Sequence, residues 1–95
     1  KANDEVSARS QFQIGECLFG QNKLDEAIQE FTRVEITYQF KDWTARALLE
    51  MGRVLEAKGD KPAAVARFKE VISRFPDNTA ALVAKERLDA LRGSM

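Results

Sequence analysis

Apolar residues recur along this chain at alternating spacings of three and four positions. In the first part they are Phe12, Ile14, Gly15, Leu18, Phe19, Leu24, Ala27, Ile28, Phe31 and Val34. In the second part they are Leu48, Leu49, Met51, Gly52, Leu55, Ala64, Val65, Phe68, Val71 and Ile72. Such spacing places apolar side chains on one face of a helix, so both parts are predicted to be α-helical.

A turn interrupts the apolar pattern in the middle of the second part, at KGDKPAA (58–64). Gly59 suits the left-handed conformation that ends many helices. Asp60 can accept hydrogen bonds from backbone N–H groups as an N-cap, and Pro62 falls in the first turn of the next helix, where its missing donor costs nothing. This part is therefore predicted to be a helix–turn–helix.

The first part has a comparable turn at GQNKLDE (20–26). We expect Asn22 to take the N-cap role that Asp60 has in the second turn. Asp25 and Glu26 place negative charge at the positive end of the following helix. The first part is therefore predicted to be a second helix–turn–helix.

A further helix is predicted after Pro76. Asn78 or Thr79 can cap it, Arg92 lies near its negative end, and Gly93 is expected to stop it, which gives a helix over about 79–92. The predicted fold class is all-α, with five helices arranged as two pairs and a closing helix.

The second helical pair repeats the first with an offset of 37 residues, because aligning Gly15 with Gly52 also aligns Phe31 with Phe68. The chain resembles the tetratricopeptide repeat family at its small, aromatic and proline positions. The residues that carry the resemblance are Gly15, Ala27, Phe31, Gly52, Ala64, Phe68 and Pro76. Gln11 and Leu48 stand where that family places an early aromatic residue, and Gln39 replaces the first proline.

The resemblance implies a right-handed superhelical solenoid that forms a single domain over residues 1–95. It divides the chain into repeat one at about 8–40, repeat two at about 43–76, and a capping helix at about 79–92. Two repeats are fewer than such an array usually needs, so we expect the open end of the first repeat to be covered by upstream repeats or by a second copy.

The offset exceeds the usual period of about 34 residues. In this longer repeat and in its closing segment RFPDNTAALVAKERL, the chain is similar to bacterial cell-envelope members of the family. These are the Tol–Pal-associated periplasmic coordinators and the outer-membrane assembly lipoproteins. This resemblance implies a scaffold that docks peptides or helices of envelope partners. It favours the periplasm or cell envelope for a bacterial protein and leaves the cytoplasm open.

Charge and composition exclude several classes of function. The 15 basic and 15 acidic residues cancel, and no basic stripe is present to neutralise nucleic-acid phosphates. No apolar run approaches the length of about 18 residues that a membrane span requires. We interpret the Lys1 start as that of an excised fragment, without a signal peptide in KANDEVSARS, and leave Gly93–Ser94–Met95 as native or added.

The chain offers little for catalysis. It has no histidine, one cysteine and no glycine-rich phosphate motif, so we expect no enzyme, no cofactor and no metal site. Asp25 and Glu26 are interpreted as first-turn charges rather than an acid–base pair. Cys17 occupies a core-facing position and is expected to be a buried small hydrophobe that forms no internal disulfide.

The resemblance also indicates a binding surface, because the first helix of each repeat lines the concave face of a tetratricopeptide solenoid. The positions carried over are Arg9, Phe12, Gln13, Glu16, Phe19, Arg46, Leu49, Glu50, Arg53 and Glu56. Arginine suits bidentate capture of a carboxylate, and Phe12, Phe19 and Leu49 would supply an apolar floor for a peptide or helix. In the alternative interpretation, Phe12 and Leu49 are core residues and the arginines pair with Glu16, Glu50 and Glu56.

The segment ITYQFKDW places Tyr38, Phe40 and Trp43 where the first pair joins the second. Exposed aromatic residues there would mark an interaction site, and buried ones would seal the junction. The predicted function is a non-enzymatic scaffold for a protein or peptide partner. The alternatives are a self-association or terminal capping module, including a homodimer, and a regulatory domain of a larger enzyme.

Overall fold

Five α-helices follow one another along residues 4–93, the part of the chain that the computed structural model describes. They are α1 (Glu5–Gly20), α2 (Leu24–Thr37), α3 (Lys41–Lys58), α4 (Lys61–Arg74) and α5 (Thr79–Gly93). No strand occurs among these residues, which confirms the predicted all-α class. The interpretations placed on Lys1, Ser94 and Met95 lie outside the described residues.

Three helices begin at side-chain caps. The carboxylate of Asp4 accepts a hydrogen bond from the Ser7 backbone N–H at 2.8 Å, and this bond lowers the pKa of Asp4. Asp60 accepts from the Ala63 N–H at 3.2 Å, as predicted. Asn78 rather than Thr79 caps α5, since its side-chain oxygen accepts from the Ala80 N–H at 2.9 Å.

The expected N-cap role of Asn22 is wrong. Asn22 has a φ of 63°, and Gly59, which lies 37 residues later, has a φ of 86°. Both therefore end a helix in the left-handed region, where asparagine is the commonest substitute for glycine. The N-cap of α2 is Lys23, whose side chain makes no capping hydrogen bond.

The backbone hydrogen bonds of the two turns agree pair by pair. The N–H of Asn22 donates to the Phe19 carbonyl at 2.9 Å, and that of Gly59 donates to the Glu56 carbonyl at 2.9 Å. The next N–H in each turn reaches back five residues, to Leu18 at 2.8 Å and to Leu55 at 2.9 Å. The repeat therefore extends to the main-chain geometry of its turns.

Successive helices pack against each other, and α3 lies at the centre because it contacts all four others. One continuous core joins the five helices, with Phe31, Leu48 and Phe68 among its largest fully buried side chains. An ion pair between Lys58 and Asp25 links the end of α3 to the first turn of α2. The two helical pairs therefore form one packed unit.

The helices of each pair touch through a glycine and a phenylalanine. A Cβ atom on Gly15 would lie 2.6 Å from Cε1 of Phe31, and one on Gly52 would lie 2.5 Å from Cε1 of Phe68. Such distances are too short for any side chain, and both phenyl rings are fully buried. Only glycine therefore allows the first helix of each pair to lie against the ring on the second.

The prediction that Cys17 is buried is wrong, because the cysteine is exposed. Its counterpart 37 residues later, Val54, is completely buried. The difference arises from position in the stack: α3 has α2 packed on it from the preceding pair, whereas no helix within residues 4–93 precedes α1.

We expect Gly52→Ala to lower the free energy of unfolding by about 1–3 kcal/mol, because the new methyl group would overlap the ring of Phe68. Gly20→Ala is the matched control, since a Cβ at Gly20 would meet nothing within 4 Å. Urea denaturation of both variants measures the difference. Equal stability of the two variants would contradict the close contact.

We expect Phe68→Ala, and likewise Phe31→Ala, to lower the free energy of unfolding by about 3–5 kcal/mol, because each leaves a cavity in the hydrophobic core. Leu82→Ala serves as the control, since Leu82 is 60% exposed. Thermal and urea unfolding measure the losses. A phenylalanine variant that melts within a degree or two of the parent would show that the aligned repeat register is incorrect.

Candidate partner-binding groove

Helices α1, α3 and α5 share one surface, which we call the A-helix face. α3 contacts both α1 and α5, while α2 packs on α1 and α3, and α4 packs on α3 and α5. The residues expected from the sequence to meet a partner and found exposed or half-buried are Arg9, Gln13, Glu16, Phe19, Arg46, Glu50, Arg53 and Glu56.

Phe12 and Leu49 do not form the floor expected of them. They are only 2% and 7% exposed and belong to the hydrophobic core. The centre of the Phe12 ring lies 5.2 Å from the centre of the Phe31 ring and 5.5 Å from that of the Trp43 ring. Both residues therefore support the A-helix face from beneath and offer little area to a partner.

Arg46 is held by aromatic rings rather than by a carboxylate. Its guanidinium carbon lies 4.7 Å from the centre of the Phe12 ring and 4.6 Å from that of the Trp43 ring. Cation–π contacts of this kind stabilise the arginine over the rings. Arg46 therefore lies over the rings of Phe12 and Trp43 while remaining exposed, and Arg9, its counterpart on α1, is exposed beside Glu5 and Trp43.

The aromatic residues Tyr38, Phe40 and Trp43, where the first helical pair joins the second, mainly seal the junction between the two pairs. Tyr38 is 8% exposed, and Phe40 and Trp43 are half-buried. The indole N–H of Trp43 donates to a carboxylate oxygen of Glu5 at 3.2 Å, which links α3 to the start of α1. These residues expose only part of their rings.

Arg53 and Glu50 form an ion pair on the surface of α3. A guanidinium nitrogen of Arg53 lies 3.2 Å from a carboxylate oxygen of Glu50. The side chain of Arg53 is 51% exposed and that of Glu50 is 15% exposed. Burial raises the pKa of Glu50, and the nearby guanidinium of Arg53 opposes this rise.

Sequence reasoning missed the part of α5 in this surface. Arg87 donates two hydrogen bonds to Glu56, at 3.0 and 2.6 Å, and this pairing raises the pKa of Arg87. Extending the 37-residue offset to α5 would have placed Arg87 on the A-helix face, because Arg87 follows Glu50 by 37 positions. Glu56 follows Phe19 by the same number. The closing helix therefore supplies a wall as well as a cap.

Two adjoining hollows on the A-helix face share Phe19 and Arg53, and together we call them the groove. The first, of about 290 Å³, lies between α1 and α3. The second, of about 560 Å³, extends to α5. The lining residues are Glu16, Phe19, Gly20, Glu50 and Arg53 in the first, and Phe19, Arg53, Glu56, Ala57, Val83 and Arg87 in the second.

A separate hollow of about 510 Å³ lies at the other end of these helices, around Trp43 and Arg46. Two of its carboxylates already have partners: Glu5 accepts from Trp43 at 3.2 Å, and Asp42 accepts from the Asn78 amide at 2.8 Å. In the groove, Phe19 is half-buried and Val83 is 37% exposed, so apolar surface from both α1 and α5 remains open there.

A family model described as tetratricopeptide repeat matches residues 9–38 and 46–78, which is most of the chain. The chain belongs to the tetratricopeptide repeat family. Tetratricopeptide repeats generally mediate protein–protein interactions and are typically non-enzymatic. No curated protein and no solved structure matches the chain.

The tetratricopeptide groove contains no candidate metal site among residues 4–93, where no three potential ligands converge. Within the same residues, no helix combines the length and apolar character needed to span a membrane. The groove is lined by apolar side chains, arginines and carboxylates, which suit contact with a peptide or a helix.

We expect the carboxyl group of Glu50 to titrate above the ordinary value of 4.5, because burial disfavours its charged form. A raised pKa means that the folded state holds the proton longer than the unfolded state. Stability from this group is therefore present below the unfolded pKa and is lost as the pH rises through the folded pKa. Glu50→Gln should thus gain stability relative to the parent from acid towards neutral pH.

Urea denaturation across this pH range, with NMR titration of the Glu50 carboxyl carbon, checks the expectation. Arg53→Gln should raise the pKa of Glu50 further, because it removes the opposing guanidinium. A Glu50 titration at or below the ordinary value would contradict the assignment.

Proposed function

We propose that the chain binds a peptide or helix of a protein partner in the groove, as a non-enzymatic scaffold. The observation that carries this proposal is the open apolar surface of Phe19 and Val83 beside the exposed guanidinium of Arg53. An apolar side chain of the partner would lie between Phe19 and Val83. A hydrogen-bond acceptor next to it would meet Arg53.

Arg53 suits this role better than the other arginines of the A-helix face. Arg46 is stacked on Phe12 and Trp43, and Arg87 is engaged by both carboxylate oxygens of Glu56. Arg53 makes one hydrogen bond to Glu50, its side chain lines both hollows of the groove, and a guanidinium has five N–H donors. A partner acceptor can therefore add to that bond or replace it.

Glu56 and Arg87 have a supporting role in this proposal. Their two hydrogen bonds join α3 to α5 and fix the distance between the walls of the second hollow. A preformed hollow needs less ordering when the partner binds, which favours affinity. Glu16 and Gln13 extend the polar rim along α1, and Arg9 lies beyond them.

A role in cell-envelope assembly is a further part of the proposal. Its support is the 37-residue offset and the closing segment at 74–88, the features that resemble envelope members of the family. Fractionation of the source cells, with an antibody against this chain, tests it. Recovery of the chain only with cytoplasmic proteins would remove the envelope role.

The binding proposal is tested by selecting peptides from a random library on the immobilised chain and measuring their affinities. Arg53→Glu should weaken the selected peptides by about tenfold or more, because a charged hydrogen bond is replaced by repulsion. Val83→Glu should weaken them as well, through loss of the apolar wall.

Arg33→Glu is the matched control. Arg33 pairs with Glu30 on α2 at the same i,i+3 spacing as Arg53 with Glu50, at 3.5 Å, but it lines neither hollow of the groove. The Arg33→Glu variant should bind the peptides with the same affinity as the parent. Equal losses in Arg53→Glu and Arg33→Glu would show that the peptides do not bind in the groove.

A further inference from the structure

The two hollows of the groove carry opposite charge. The first hollow, between α1 and α3, contains two carboxylates and one guanidinium, those of Glu16, Glu50 and Arg53. The second hollow, which extends to α5, contains one carboxylate and two guanidiniums, those of Glu56, Arg53 and Arg87. Because Arg53 is common to both, the groove changes from net negative on the α1 side to net positive on the α5 side.

Glu16 supplies the exposed charge of the first hollow. It occupies an exposed position of α1, and no ion pair among residues 4–93 engages it. The other carboxylate, that of Glu50, is only 15% exposed and is paired with Arg53. Burial raises the pKa of Glu50, and the negative charge of Glu16 raises it further. The α1 side of the groove therefore presents a negative charge to a partner.

The guanidiniums supply the exposed charge of the second hollow. The side chains of Arg53 and Arg87 are 51% and 41% exposed, whereas that of Glu56 is 17% exposed. Arg87 donates to Glu56 through Nε and one Nη2 hydrogen, and neither of these two bonds uses its Nη1 group. The α5 side of the groove therefore presents positive charge to a partner.

Apolar surface joins the two charged sides. Phe19 lines both hollows, and Ala57 and Val83 line the second. An apolar side chain of a partner that contacts Phe19 therefore has the carboxylate of Glu16 on one side and the guanidinium of Arg87 on the other.

We propose that the partner segment carries a lysine or arginine on one side of its apolar residue and an aspartate or glutamate on the other. The basic side chain lies at Glu16, the apolar side chain at Phe19, and the acidic side chain at Arg53 and Arg87. This arrangement pairs opposite charges at both sides of the groove, whereas the reverse order places like charges together. The charges of the groove therefore set the orientation in which the segment binds.

This inference rests on the proposed function, because it specifies the peptide that occupies the groove. A segment with charges of one sign is the less suitable occupant. An acidic segment would be repelled by Glu16, and a basic segment would be repelled by Arg53 and Arg87. Complementary charge at the rim of an interface acts mainly on specificity, so the order of charges is the feature to test.

The test uses the tightest selected peptide that Arg53→Glu weakens and Arg33→Glu does not. Its ends are acetylated and amidated, so that only side chains carry charge. A second peptide has the basic and the acidic residue exchanged, which leaves composition and net charge unchanged. Isothermal titration calorimetry measures both affinities at low and at high salt.

The parent should bind the first peptide about tenfold more tightly than the exchanged peptide at low salt, because the exchange replaces attraction by repulsion at both sides. The ratio of the two affinities should shrink in about 1 M NaCl, where the Debye length falls to about 3 Å.

Glu16→Lys should weaken the first peptide by about threefold or more, and a peptide with glutamate in place of the basic residue should recover the loss. Such recovery requires that the two groups meet, since distant sites contribute independently. Glu26→Lys is the matched control, because it makes the same change of charge at an exposed position of α2 that lines neither hollow. It should retain the preference of the parent.

Three results would overturn the inference and leave groove binding intact. The first is an affinity of the exchanged peptide within about twofold of the original at low salt. The second is a set of groove-binding peptides without opposite charges on the two sides of an apolar residue. The third is a loss in Glu16→Lys that the peptide with glutamate does not recover. If no selected peptide distinguishes Arg53→Glu from Arg33→Glu, the proposed function itself fails, and this inference fails with it.

Discussion

The arrangement of this protein depends on the contact between a glycine on one helix and a phenylalanine ring on the next. Gly15 meets Phe31 and Gly52 meets Phe68 at distances that leave no room for a Cβ atom. Close approach at this point brings the apolar stripes of both helices together along their length. It also fixes where α1 and α3 lie relative to α2 and α4, so the positions of the A-helix face follow from two buried contacts.

The same repeat that fixes the core leaves the A-helix face free to vary. Phe19 on α1 becomes Glu56 on α3, and Glu50 on α3 becomes Arg87 on α5, at equivalent positions. Between α1 and α3 an aromatic ring therefore lies beside a half-buried carboxylate, whereas between α3 and α5 the same positions form a bidentate ion pair. The groove exists because neighbouring repeats have the same core packing but different residues at equivalent surface positions.

Residues whose surroundings are local could be predicted from the sequence, and residues whose surroundings depend on the stack could not. The helices, the Asp60 cap and the Gly59 helix end follow from nearest neighbours in the chain. Cys17 has the periodicity of a buried residue, but its burial requires a preceding helix that residues 4–93 do not provide. Arg46 has the charge of a ligand-binding residue, yet two rings that meet only in the folded chain hold it in place.

The ion pair between Arg53 and Glu50 is the weakest of the charged contacts along the groove, and this weakness matters for binding. An exposed pair three residues apart on a helix stabilises the fold by only about 0–1 kcal/mol. Burial further disfavours the charge on Glu50, as its raised pKa indicates. A partner that binds the guanidinium of Arg53 therefore replaces only a weak ion pair. Glu50 can then accept a proton, because Arg53 no longer balances its charge. By contrast, Arg87 is held by two hydrogen bonds to Glu56, so the wall of the groove between α3 and α5 stays fixed while Arg53 can exchange one acceptor for another.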